Sequence, residues 1–90
     1  MLSVTHKVPG GKLLRLKTGV DDGKMVAPQL SGDFFLTPPE KITALEEALD
    51  GFALDGEDLL ELLDYVVERE GITLTGISTS DIVEAVRRLR

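Results

Sequence analysis

Apolar and polar residues alternate along the first third of the chain and then recur at helical spacing over the remainder. Residues 3–8 alternate weakly and predict a first strand. Pro9-Gly10-Gly11 follows as a tight turn, since proline presets φ and glycine tolerates positive φ. Residues 12–20 alternate well: Leu14, Leu16 and Val20 point one way, and Leu13, Arg15 and Lys17 the other. Asp21-Asp22-Gly23 reads as a hairpin turn that uses positive φ. A third strand is expected over 24–36, with Val26, Leu30 and Phe34 in phase. Pro28 cannot donate to a ladder, so it belongs on an edge strand or at a bulge. The expected topology is a three-stranded antiparallel meander with 12–20 in the centre. Gly32 predicts a bend or bulge before Asp33-Phe34-Phe35.

From residue 37 the period changes. Thr37 and Glu40 have capping-box spacing, and Pro38 falls at a first helical position, which predicts a helix over 38–50. Its apolar face is Ile42, Leu45, Ala48 and Leu49, and Gly51 ends it. Asp55 is the expected cap of a second helix over 56–70, where Leu59, Leu62, Leu63, Val66 and Val67 form one stripe and Gly71 is the stop. Ile72, Leu74 and Ile77 read as a short apolar crossover. A last helix over 79–89, capped by Ser78, Thr79 or Ser80, turns Ile82, Val83, Val86 and Leu89 inward. Arg87, Arg88 and Arg90 sit at its negative end. Strands first and helices after give an α+β domain, residues 1–90, with three helices on one face of the sheet and the other face open to solvent or a partner.

Composition narrows the chemistry. There is no cysteine, which removes disulfides, thiolate metal sites and cysteine nucleophiles, and which is compatible with a cytoplasmic protein. No apolar run approaches a membrane span. The net charge of −6 is unevenly spread: residues 1–24 are net positive, through Lys7, Lys12, Arg15, Lys17 and Lys24, and residues 25–70 are strongly negative. An acidic protein is a poor nucleic-acid binder. A basic sheet beside acidic helices fits a local anion site or a charge-complementary protein, or simply two solvated faces.

No residue set forms a catalytic constellation. His6, the only histidine, has no orienting neighbour in the sequence. Gly10-Gly11-Lys12 is either an anion-binding nest with a lysine beside it or a plain hairpin turn, and its spacing is not that of a P-loop. Phe34 and Phe35 face opposite sides of a strand, so one enters the core and the other is exposed or covered by a partner. The carboxylates Glu40, Glu46, Glu47, Glu57, Asp58, Glu61 and Asp64 fall mostly on polar helix faces and read as solvated.

Taken in order, Val8-Pro9-Gly10-Gly11-Lys12-Leu13, Asp22-Gly23-Lys24, Ser31-Gly32-Asp33-Phe34-Phe35, Pro38-Pro39-Glu40 and Leu49-Asp50-Gly51 resemble the C-terminal accessory domain of lipoate–protein ligases. The likeness is greater to the separate small subunit of two-part archaeal ligases and covers residues 5–90. The resemblance implies a fold similar to iron–sulfur scaffold proteins and a heterodimer with a catalytic large subunit. That subunit binds lipoate and ATP/Mg and makes lipoyl-AMP before transfer to a lysine of a lipoyl-acceptor domain. It implies no cofactor or metal on this chain alone, and a need for the small subunit in the adenylation step. The resemblance does not assign the interface. Charge and turn geometry place the expected partner or phosphate contacts at Pro9, Gly10, Gly11, Lys12, Arg15, Asp33, Phe34 and Phe35. The other function class open to the sequence is a non-catalytic binding module, such as an adaptor in sulfur or iron–sulfur assembly.

Overall fold

The computed structural model describes residues 1–89; the expectation for Arg90 falls outside the described residues. Strands β1 (Leu2–Lys7), β2 (Leu13–Asp21) and β3 (Lys24–Gly32) form an antiparallel meander with β2 in the centre. A second, two-stranded antiparallel sheet pairs β4 (Phe35–Thr37) with β5 (Thr73–Thr75). Helices α1 (Ile42–Leu49) and α3 (Thr79–Arg88) pack on one face of the meander, α1 on β3 and α3 on β1 and β2, and α2 (Leu59–Glu70) packs against both of them. The fold is therefore α+β with three helices on one side. Leu14 and Leu16 of β2, Met25 and Leu30 of β3, Leu45 and Leu49 of α1, Leu59 and Leu63 of α2, and Ile82 and Val86 of α3 make the core. Burying this aliphatic set between a sheet face and three helix stripes is the main stabilising term.

The β2–β3 hairpin turns at Asp22 (φ 55°) and Gly23 (φ 74°), the two positive φ angles that a type I′ turn needs. Beyond it the ladder slips. Gly19 pairs with Val26 and Lys17 with Gln29, so β3 advances three residues while β2 advances two. The extra residue is a bulge at Ala27, whose φ is +52°. Thr18 lies opposite it, fully buried, with its hydroxyl 2.8 Å from the Gly19 carbonyl and 3.2 Å from that of Val26. The slip inverts the expected phase. Met25 is inside and Val26 is 46% exposed, while Val20, opposite Met25, keeps the inward phase of Leu14 and Leu16 and is 40% exposed beside the hairpin turn.

Pro28 is on an edge strand, and that edge is closed. Carboxylates of α1 and its C-cap take the outward amides of β3: Ala27 N–H donates to Asp50 at 3.0 Å and Leu30 N–H to Glu46 at 2.8 Å. Met25 N–H donates to the Phe52 carbonyl, and Gly51 N–H to that of Met25. Glu46 is thus a partner of the sheet edge rather than a solvated helix-face charge. Glu46→Ala should cost about 1.5 kcal/mol, the range for a lost hydrogen bond to a charged group, where a solvated carboxylate would cost under about 0.5 kcal/mol. Urea unfolding of the two proteins distinguishes these values.

Several boundaries differ from those expected. The stretch 24–36 is two strands, because Gly32 (φ 148°) turns the chain out of the first sheet and β4 joins β5. The apolar run after Gly71 is accordingly strand rather than simple crossover. Thr37 does not cap a helix: it ends β4, the Thr37–Pro38 bond is cis, Pro38 is the cap residue and Pro39 the first residue of a 3-10 turn over Pro39–Lys41. The helix proper begins at Ile42, not 38. Asp55 closes a local turn by accepting Glu57 N–H at 3.0 Å, and α2 starts only at Leu59, after Asp58 in a left-handed conformation. Ser78 does cap α3, in a reciprocal capping box with Asp81.

Candidate functional site

The turn between β1 and β2 is built by two backbone hydrogen bonds, Gly11 N–H to the Val8 carbonyl (2.9 Å) and Val8 N–H to the Lys12 carbonyl (3.0 Å). Gly10 supplies the positive φ of 70°. Because the Gly11 amide is used inside the turn, two successive free N–H groups do not converge on an anion, and the Gly10-Gly11 pair is a hairpin turn rather than a nest. Pro9, Gly10 and Gly11 are exposed there.

The start of β2 is tied to the segment after β3. Asp33 accepts the Leu13 N–H at 2.6 Å and returns its own N–H to the Leu13 carbonyl at 3.3 Å. This clamp sets the aromatic pair. Phe34 is half-buried against the core, and Phe35, on the opposite side of the strand, is 64% exposed. Lys12 places its ammonium 5.7 Å from the centre of the Phe35 ring, a cation–π distance. Its stem runs over Gly76, where any side chain would collide with it. Beside Phe35 lies an open cleft of about 310 Å³ lined by Ser31, Gly32, Phe34, Phe35, Leu36, Pro39 and Ile42. The fold therefore brings Lys12, Asp33 and Phe35 to one corner. Arg15 is not in it: it points from the open face of the sheet, opposite Thr5 and Ser31. Sequence reasoning missed Gly76. Its one signal was a glycine directly after the alternating Thr73-Leu74-Thr75.

A second polar cluster joins β1 to α3. The Arg88 guanidinium, which can only donate, lies 3.2 Å from His6 Nδ1, so Nδ1 accepts and Nε2 carries the hydrogen directed at Asp81, 3.1 Å away. Ser78 donates to the same carboxylate from its backbone (2.8 Å) and hydroxyl (2.9 Å). Ser, Asp and His meet here in the wrong order for nucleophilic catalysis, because the hydroxyl bonds the aspartate and not the imidazole. The histidine's orienting neighbours, absent from the local sequence, come from the far end of the chain. Burial pushes the Asp81 carboxyl up, but the Ser78 hydrogen bonds and His6 outweigh it and hold the carboxyl below its ordinary 3.8. With the folded value depressed, this contribution is complete above the unfolded value and is lost as pH falls through the folded one. Asp81→Asn should therefore lower stability at pH 7 and flatten the acid limb of stability below pH about 4. Parallel thermal melts from pH 2 to 7 read both effects.

Among the described residues, no group of three His, Asp or Glu side chains is placed to hold a metal, and no helix is long and apolar enough to cross a membrane. The cleft beside Phe35 is an open surface feature. What the corner offers is a lysine set over an exposed aromatic ring, beside a largely apolar cleft.

The family model for the bacterial lipoate protein ligase C-terminus matches residues 1–86. The chain belongs to that family. Within it, the chain is similar to lipoate-protein ligase A subunit 2 of Thermoplasma acidophilum, 28% identical over 97% of this chain and 88% of the relative. It also superposes on a chain from the solved bi-partite lipoate protein ligase of the same organism, studied with its E2 lipoyl domain. The TM-score is 0.79 at 26% identity, over 97% of this chain and 96% of the other. The resemblance read from the five ordered motifs, Gly10-Gly11-Lys12 and Asp33-Phe34-Phe35 among them, is thus upheld at the level of family and α+β architecture. The two motifs are the two sides of the Lys12–Phe35 corner.

Proposed function

We propose that this chain is the accessory subunit of a two-part lipoate–protein ligase. It pairs with a catalytic large subunit and is needed for the ATP-dependent conversion of lipoate to lipoyl-AMP. The observation that supports this best is the likeness to a relative named as subunit 2 of such a ligase, over 97% of this chain and 88% of the relative, with a matching fold over 96% of a chain from the solved bi-partite system. The Gly11 amide is used within its turn, which leaves the Gly10-Gly11 pair no nest for a phosphate. ATP/Mg and lipoate are therefore assigned to the large subunit, and the acceptor domain of a 2-oxoacid dehydrogenase or glycine-cleavage protein meets this chain only indirectly.

In this reading the chain acts by covering. Docking a small rigid domain beside an active site excludes water and orders catalytic loops. The Lys12–Phe35 corner is the contact proposed to do this, with Phe35 as anchor and Lys12 directed at a carboxylate patch or at the nucleotide phosphates of the neighbouring subunit. An adaptor in iron–sulfur assembly is favoured by no observation. The fold likeness to iron–sulfur scaffold proteins remains an implication of the family, and a cytoplasmic setting follows from that of the ligase reaction.

The test follows the mass of a lipoyl-acceptor domain. With ATP and lipoate, the acceptor gains the lipoyl group in the presence of both subunits and not with the large subunit alone. With synthetic lipoyl-AMP supplied, the large subunit alone suffices. Lipoylation from ATP and lipoate at full rate without this chain would remove the proposal.

A further inference from the structure

The open face of the meander carries a charge pattern that the corner does not explain. Residues opposite one another in the ladder share a face, and Leu14 and Leu16 point into the core. The other face therefore presents Ser3, Thr5 and Lys7 of β1, Leu13, Arg15 and Lys17 of β2, and Gln29 and Ser31 of β3. Lys7, Arg15 and Lys17 are all exposed, and among the described residues none takes part in an ion pair. Between the bulge and the β1–β2 turn this face has no carboxylate side chain. Farther along, Lys24 faces Asp21 across the ladder, so that end is compensated. Most of the chain's acids sit elsewhere: residues 25–70 hold twelve Asp and Glu against Lys41 and Arg69, and all of them but Asp33, which is bonded to the Leu13 amide at the turn end of this face, supply α1, α2 and their loops on the far side of the sheet. The fold thus sorts its charges onto opposite sides, although the protein as a whole is acidic.

Three cations on a flat surface, each flanked by Ser, Thr or Gln side chains, are spaced for carboxylates. Arg15 and Lys17 are two residues apart on one strand, about 7 Å, and Lys7 lies one strand over. The face has little apolar area, so its contribution is steering and orientation more than burial. It is continuous with the Lys12–Phe35 corner through Leu13, whose backbone Asp33 holds.

Resting on the ligase reading above, we infer that the open sheet face is a docking surface for a carboxylate-bearing patch on the catalytic large subunit. The sorted charges fix which way round the chain docks, because presenting α1 and α2 instead would set carboxylate against carboxylate. A nucleic acid is a poorer occupant: the net charge is −6, and no aromatic side chain lies on this face to stack on bases.

The test measures calorimetric binding of the chain to the catalytic subunit at 0.1 and 0.5 M salt. The double reversal Arg15→Glu with Lys17→Glu should raise Kd about tenfold or more at 0.1 M, and the gap should narrow at 0.5 M as screening shortens. Neutral Arg15→Gln with Lys17→Gln should fall between the two, and it keeps the test valid if the reversal impairs folding, which circular dichroism monitors. The control reversal Glu61→Lys with Glu68→Lys, on exposed positions of α2, should leave Kd within about twofold or tighten it, since it removes like charge far from the contact. Wild-type affinity in both sheet variants, or an equal loss from the α2 control, overturns the inference and leaves the ligase reading intact. So does retention of a DNA or RNA duplex by the wild-type chain at 0.1 M salt with no effect of the sheet variants on subunit binding. Failure of the wild-type chain to bind the catalytic subunit at all removes the ligase reading and the docking surface together.

Discussion

Leu16→Ala should destabilise the domain by about 3 kcal/mol and lower its melting temperature by roughly 15 °C. Leu16 is fully buried at the middle of the central strand, paired with Val4 on one side and Leu30 on the other. Its side chain stands between the two edge strands and the helices, so neither the backbone nor a single neighbour can collapse into the vacated space. Both the lost transfer free energy and the residual cavity therefore count in full. A small domain has a total stability on the order of 5–15 kcal/mol, so this one truncation removes a large share of it. Chemical unfolding should show a lower midpoint with an unchanged slope. Destabilisation below about 1 kcal/mol would mean that the sheet packs less tightly on its helices than described here.

Phe35→Ala should do the opposite: little to stability, much to association. The ring is 64% exposed and carries the Lys12 ammonium over its face. Removing it from the free chain costs only that weak contact, within about 1 kcal/mol. In the complex it is the best candidate for an anchor, since large aromatic side chains beside an apolar cleft dominate interface energetics. Truncation of such a residue costs about 2 kcal/mol or more, equivalent to some thirtyfold in Kd. The pair of measurements separates the roles. Unchanged melting with weakened binding to the catalytic subunit supports a contact residue. A large fall in melting temperature with unchanged affinity would make Phe35 a packing residue and move the interface elsewhere.

Most of the architecture could be read from local chemistry. Asp22-Gly23 announced a turn that only two positive φ angles can make, and Pro28 announced an edge or bulge and occupies both. The leucine spacing of α2 and the Ser78 cap of α3 did the same for the helices. What stayed hidden depended on register and long-range partners. A period-two pattern cannot reveal a one-residue bulge, so Met25 and Val26 lie on the sides opposite to those the phase of β3 implies, whereas Val20 on the unbulged β2 keeps its side. Three-residue strands have too little pattern to announce themselves, so alternation alone neither separates β4 from β3 nor marks β5 as a strand. The role of Glu46 rests on an edge amide sixteen residues away in sequence, and that of His6 on Asp81 and Arg88 from the last helix. Of the candidate site, Lys12, Asp33 and Phe35 do converge, and Gly76 shapes the lysine's path unannounced. Arg15 belongs to a different surface, the open sheet face, whose charge was visible in the sequence while its geometry was not.

The central claim is that this chain is required for making lipoyl-AMP, and lipoate-dependent exchange of pyrophosphate into ATP tests it most directly. The assay compares this chain alone, the catalytic subunit alone and the two mixed. Exchange only in the mixture is the predicted result. Equal exchange by the catalytic subunit with and without this chain would contradict the account.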